Sequence, residues 1–353
     1  MKSESIEIVE SIFKNPLSFL KLGTPQAYEN MTVIPIIIQD DKFIDFISIK
    51  EAEESGLIEI IETEAVSQLE VINKSDKQIL IPFGMTVHGG KQDRTIWEPI
   101  LLPVGGKKSV FSENPGKGKQ KYTIPAKCVE QSRWTYNKGR GFKSSKMRIH
   151  PNVAYEAISA SGQSAVWEEI QSHRAEMKYA MNVAPTQSYL EMTKVSEKQT
   201  EKIIKNFKNV ENQCGIAVFI NGEFIGIEFY ANSYAWNYMS NDIFKAFAIE
   251  ALRFKDKPII IDKPIKENSK EYHDEIISIL RKLTFNFSTR EGIGLGNVVE
   301  FNSNDKKWRG ITLVHNSTMA QFYLVSKRGG YQAQAHRRPH IQFQTNINQR
   351  FSV

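Results

Sequence analysis

Cysteine is almost missing. Cys128 and Cys214 are the only two in 353 residues, too few for a disulfide framework, so reduced thiols and a cytoplasmic setting are expected. Long apolar runs are missing too. Runs such as 34–38 and 216–220 are far short of the roughly 20 residues that a bilayer-spanning helix needs. The first ten residues are polar and acidic and lack the apolar core of a signal peptide. No P-loop is present, because no Lys-Ser or Lys-Thr pair follows the glycines at 89–90. Gly292-Ile293-Gly294-Leu295-Gly296 lacks the final spacing of a dinucleotide fingerprint and precedes a strand pattern instead of opening a helix. His150, His173, His273 and His315 are scattered, and His336 and His340 fall in the last stretch, so no metal centre and no cofactor is expected.

Acid is scarce in two places. Residues 102–150 carry twelve Lys or Arg against Glu113 and Glu130, and residues 327–353 carry five and no acid. The net charge is +6, so the rest of the chain is net acidic, and an anionic partner is expected for the two basic parts.

What is present is the composition of an ordinary globular protein, 41% hydrophobic and 24% charged. Helical spacing runs through 5–14, 151–181 with a break at Ser161-Gly162, 196–206, 234–254 and 270–282. Strand patterns occupy 31–38, 57–62, 68–73, 78–83, 96–102, 122–124, 259–262, 298–301, 308–314 and 319–326. Pro35 is expected to confine its strand to an edge or a bulge. Ser48 and Glu51 form a capping-box pattern, and Gly56 closes the helix they begin. Residues 215–230 read as a hairpin turned by Asn221-Gly222. Six glycines or prolines and five lysines in 103–121 read as a flexible basic loop, and 137–148 as a second. The expected fold class is α+β, with mixed, mainly antiparallel sheets, packed helices, basic loops in the N-terminal half and an extended C-terminal arm. The expected division is an N-terminal helix in 1–21, one domain in 22–326 and a basic tail in 327–353. Within the domain the part to about residue 150 is strand-rich, and helices and hairpins follow.

Two polar strings stand where strands end, the places where a scaffold presents chemistry. In Gly89-Gly90-Lys91-Gln92-Asp93-Arg94, unobstructed backbone amides beside two cations suit a phosphate or carboxylate, or else the string is a tight turn with solvated charges. His88 beside it is an acid–base candidate but reads more readily as structural. In Cys128-Val129-Glu130-Gln131-Ser132-Arg133-Trp134, a regular strand would put Cys128 and Glu130 on one face. Lys127 and Arg133 are placed to lower the Cys128 pKa, although a cysteine with no paired histidine is more often a half-buried structural residue.

These strings, followed by Gln163, Val166-Trp167 and the 215–229 hairpin, resemble a prokaryotic family named for its association with ADP-ribosylglycohydrolases and rhodanese-phosphatase-type proteins. The resemblance runs from Leu22-Gly23 to Leu324. It implies an enzyme or ligand-binding domain for ADP-ribose or related NAD derivatives. The positions it carries over are Lys91, Gln92, Arg94, Cys128, Glu130, Gln131, Arg133, Trp134, Gln163 and Trp167. One departure bears on acid–base chemistry: the family tends to have an acidic pair upstream of Gly89, where this chain reads Phe83-Gly84-Met85-Thr86-Val87.

Three readings follow. In the first, a phosphorylated nucleotide is bound by Lys91, Gln92, Arg94, Gln131 and Gln163, with Trp134 or Trp167 stacked on its base. Glu130 is then the general base, Arg133 offsets developing charge and Cys128 is a less favoured nucleophile. In the second, a non-enzymatic protein grips RNA, DNA or a ribonucleoprotein through Lys117, Lys119, Lys121, Lys138, Arg140, Lys143, Arg337 and Arg338, with neighbouring aromatics for stacking. In the third, the tail docks into another copy and the protein self-assembles.

Overall fold

In the computed structural model the described residues are 3–38, 44–63, 65, 67–89, 92–105, 120–129, 142–158, 162–181, 188–255 and 268–328. The chain opens with helix α1 (Glu4–Lys14), then strands β1 (Leu20–Leu22), β2 (Gln26–Tyr28), β3 (Met31–Ile38) and β4 (Phe46–Ser48). Helix α2 (Ile49–Glu54) precedes β5 (Ile58–Glu62), β6 (Gln68–Asn73), β7 (Gln78–Ile81), β8 (Met85–His88) and β9 (Arg94–Ile96). Next come β10 (Ile100–Leu102), β11 (Tyr122–Cys128) and β12 (Lys143–Arg148). Helices α3 (Pro151–Ile158), α4 (Gly162–Met181), α5 (Tyr189–Val195) and α6 (Glu197–Ile204) are followed by β13 (Gln213–Ile220) and β14 (Glu223–Tyr230). Helices α7 (Ser233–Phe254) and α8 (Ser269–Lys282) lead to β15 (Phe285–Glu291), β16 (Asn297–Ser303), β17 (Trp308–His315) and β18 (Thr318–Ser326).

The fold is α+β. A nine-stranded antiparallel sheet runs β1-β3-β13-β14-β18-β17-β16-β15, with β2 also paired to β3. The hairpin of β13 and β14 lies inside it, between β3 and β18. Asn221 and Gly222 both take positive φ, 51° and 75°, the conformation a two-residue hairpin turn needs and Asn-Gly supplies at least cost. Both faces of this sheet are covered. Ala217 and Phe219 pack with Val9, Ile12 and Phe13 of α1 and with Tyr272, Ile276 and Leu280 of α8. Ile216, Val218 and Ile220 pack on the other side with Trp236, Phe247 and Ala251 of α7. That two-sided burial is why β13 reads as an unbroken apolar run rather than an alternating one.

Pro35 does not mark an edge. β3 pairs with β13 on one side and with β1 and β2 on the other. β1 covers Ile36–Ile38 and β2 covers Met31–Val33, so the missing proline N–H falls in the gap between two short strands. The irregularity expected of Pro35 lies in its neighbour, between Gln213 and Gly215.

A six-stranded antiparallel sheet, β12-β8-β9-β11-β6-β5, forms the second unit. It curls until its outer strands approach, where Phe142 N donates to Ile60 O at 3.3 Å. Val71, Val87, Ile96, Ile124 and Phe142 fill the space it encloses. The stretch expected as a second basic loop therefore contains a strand: its Lys-Ser-Ser-Lys composition says loop, but pairing with β8 decides. The 96–102 pattern is two strands, not one. β9 belongs to this sheet, and β10 to a three-stranded sheet, β10-β7-β4. The glycine string at 292–296 is structural. It turns β15 into β16, and Leu295 N donates to Leu101 O at 2.9 Å. A Cβ on Gly294 would stand 2.4 Å from that same carbonyl. The pattern at 259–262 lies outside the described residues.

Candidate functional site

The ends of β8, β9 and β11 lie side by side, with Val87 opposite Arg94 and Arg94 opposite Cys128. Four of the residues singled out in the sequence meet here. The Cys128 thiol donates to Gln92 Oε1 at 3.0 Å. Cys128 N donates to Gln163 Oε1 at 3.0 Å, and the Cys128 carbonyl accepts from Gln163 Nε2 at 2.6 Å and Trp167 Nε1 at 3.1 Å. Gln163 and Trp167 are one turn apart on α4, hence on one face, and together they clamp a single residue's backbone. The thiol is buried and bonded to a neutral amide. Lys127 does not activate it: its Nζ donates to Ala157 O at 3.2 Å and lies 3.7 Å from the Trp97 ring centre. Burial pushes the Lys127 pKa down to about 8.

Arg94 is fully buried. Its guanidinium donates to Gln68 O at 2.7 Å and to Glu62 Oε1 at 2.5 Å, with Phe142 at 5.1 Å. It is an internal strut of the six-stranded sheet and has no surface to offer a phosphate, which corrects the expected anion-binding role.

Asp93 and His88 form a second pair at this corner. His88 Nδ1 lies 2.6 Å from Asp93 Oδ1, the Asp93 side chain is 3% exposed and that of His88 is 60% exposed. Ser188, which caps α5, donates from its hydroxyl to Asp93 Oδ2 at 3.3 Å. Val129 N donates to Asp93 O, and Tyr189 N to Val129 O. A buried carboxylate fixed by a hydroxyl thus orients an imidazole whose body faces solvent. His88 reads as structural in the sequence because its partner lies across a turn and its neighbours are glycines.

Behind this corner runs a buried polar seam. Tyr189 OH donates to Arg148 O at 2.9 Å and accepts from His150 N at 3.0 Å. Arg148 donates to Glu228, Tyr230 and the Phe83 carbonyl. Burial alone would lower the Arg148 pKa, but Glu228, Tyr230 and Tyr323 together outweigh it and raise it, so the guanidinium stays charged. His150 Nδ1 is 2.7 Å from Glu250 Oε2, and His150 Nε2 is 2.6 Å from His173 Nδ1. All three residues are fully buried. Burial would raise the Glu250 pKa, but His150, Arg253 and Arg328 together bring it down to about 2. Arg253 also pairs with Glu169 at 2.6 Å and Glu176 at 2.9 Å. Histidines that look scattered in sequence are therefore joined by packing of α3, α4 and α7. The available signal was Glu250 and Arg253 inside the otherwise apolar 246–254 stretch, where a charge needs a buried partner.

Lys91, Glu130, Gln131, Arg133 and Trp134 lie outside the described residues, as do Lys117, Lys119, Lys138, Arg140, Arg337 and Arg338. Lys121 pairs with Glu70 at 2.9 Å, and Lys143 is exposed on β12. No helix among the described residues is long and apolar enough to cross a membrane.

The family model described as the ARG and Rhodanese-Phosphatase-superfamily-associated Protein (ARPP-1) domain matches residues 19–325. No curated protein and no solved structure matches the chain.

Proposed function

The chain belongs to the ARPP-1 family, and on that premise we propose that it binds and hydrolyses a phosphorylated nucleotide of the ADP-ribose class at the β8–β9–β11 corner. The observation that carries this reading is the His88–Asp93 pair, 2.6 Å apart with the carboxylate buried and the imidazole exposed. Asp93 fixes which ring nitrogen carries the proton, and the opposite nitrogen is set to take a proton from water, as in other carboxylate-oriented histidines. Water adds its oxygen to the carbon or phosphorus attacked, and its proton passes through His88 to the leaving group.

The segments that supply the remaining groups leave from neighbouring points of the same corner, Lys91 just before Gln92 and Glu130 just after Val129. In this reading Lys91 binds the pyrophosphate, Trp134 stacks on the base and Arg133 offsets developing charge. Glu130 shares acid–base duty with His88. Gln92, Cys128, Gln163 and Trp167, bonded to one another, form the floor of the corner. Family association with ADP-ribosylglycohydrolase-type proteins supports the substrate class, as the family's name does.

The test starts with mass spectrometry of what co-purifies, followed by turnover of the ADP-ribose derivatives so indicated. His88→Ala is expected to lower kcat by about 100-fold or more, the usual contribution of a positioned acid–base group, with an unchanged melting temperature. Full turnover in His88→Ala would remove the pair from the mechanism. Co-purifying long nucleic acid released by salt would instead favour the basic segments.

A further inference from the structure

We propose that His150, His173 and Glu250 hold a divalent transition-metal ion. The observations are independent of the His88 corner. Two imidazoles and a carboxylate, each fully buried, place one ligand atom apiece within 4.8 Å of one another. This is the donor set of a centre built from two histidines and one carboxylate, suited to Zn2+ and its neighbours and poorly suited to Ca2+ or Mg2+.

The geometry prepares the site. Glu250 Oε2 already stands 2.7 Å from His150 Nδ1, so the carboxylate lies against one of the two rings. The facing nitrogens are 2.6 Å apart. Two nitrogens at ~2.05 Å from one tetrahedral ion stand about 3.3 Å apart, so the rings need to separate by less than about 1 Å to admit it. Glu250 Oε1 is buried with no hydrogen-bond partner among the described residues, and Arg253 Nη1 lies 3.7 Å from it. An orphaned carboxylate oxygen beside two converging imidazoles is explained by a cation.

Charge points the same way. Arg253 faces Glu250, Glu169 and Glu176 together, one positive charge against three negative. The adjoining Arg148–Glu228 pair balances itself, and Glu223 faces both Arg328 and Lys307. The carboxylates still outnumber these cations, which favours a positive ion here. Helices α3, α4 and α7 would then be tied at one point, directly behind Tyr189 and the Asp93 corner.

The probe is Co2+ added to the full-length wild-type chain. The expected result is about one equivalent bound, with visible d–d bands that Zn2+ displaces and with a raised melting temperature. His173→Ala and Glu250→Gln, checked for an unchanged circular dichroism spectrum, are expected to weaken binding by at least about 100-fold. Where a variant does not fold, long-range 1H–15N spectra of the wild-type chain read the same point: Zn2+ must shift ring nitrogens of two histidines. A wild-type chain that stays folded and takes up neither ion overturns the proposal. So does binding that survives in both folded variants, or an N–H···N proton between His150 and His173 that persists with Zn2+ present.

Discussion

Cys128 is held by its backbone, and its thiol is secondary. Gln163→Ala removes both of that side chain's bonds to the Cys128 backbone and leaves a buried N–H without its acceptor. The expected loss is about 1–3 kcal/mol, read as a lower urea midpoint, and Cys128→Ser should cost less. Equal stability of Gln163→Ala and wild type would show that α4 is anchored elsewhere. Lys127 makes a pH-dependent prediction. Its folded pKa of about 8 lies below the unfolded 10.5, so between those values the unfolded chain binds more protons. Stability of the wild type relative to Lys127→Met must therefore rise with pH across that window, by at most about 1.4 kcal/mol per unit. A constant or falling difference refutes the assignment. At this scale the sequence showed which side chains matter better than it showed what they do. Arg94 stands in a cationic string, yet a three-residue strand and a curled sheet turn it inward against Glu62. His88 reads as structural because nothing local in the sequence reveals Asp93 as its buried partner.

Among the elements, those set by local chemistry were legible. Asn221-Gly222 forces a hairpin, Ser48 Oγ accepts from Glu51 N as the capping pattern requires, and the apolar spacing of 270–282 gives α8. The elements that went unread depend on partners. β12 is Lys-Ser-Ser-Lys-Met-Arg and becomes a strand only against β8. β15 is a mostly exposed edge strand whose sequence carries little apolar signal, and α5 is a short helix begun by Ser188. The seam of Arg148, Glu228, Tyr230 and Gln321 joins β12 to β14 and β18, and sequence separations of about 80 residues or more hid it. Arg148→Met should destabilise by roughly 3–5 kcal/mol, because Glu228 is left buried and unpaired. Adding Glu228→Gln should recover a large part of that loss. A double variant no better than Arg148→Met would mean that the guanidinium bonds to Phe83 O and Tyr230, not the ion pair, carry the seam.

For the molecule as a whole, the division between body and tail is set by contacts rather than composition. The basic stretch begins at Lys327, which suggests a cut after Ser326. Yet Lys327 Nζ pairs with Glu156 at 2.5 Å, and Arg328 donates to Glu223 at 3.2 Å and to Ile220 O at 3.1 Å while lying 4.3 Å from the Phe254 ring. Arg328 N also donates to Asn152 Oδ1 at 3.2 Å. These two residues thus fasten the end of β18 to α3, to the β13–β14 turn and to the end of α7. A chain ending at Ser326 should be less stable than one ending at Arg328 by about 1–3 kcal/mol, the range for losing partly buried charge-assisted bonds. Denaturant melts of the two chains check this directly. Identical midpoints would place the boundary at Ser326 after all, whereas the expected gap means that binding assays on tail-less protein must keep Arg328. A cut at Ser326 would otherwise disturb the packing around α3 and α7, the helices beside His150 and Glu250, and a loss of metal or nucleotide binding could not be assigned to the tail.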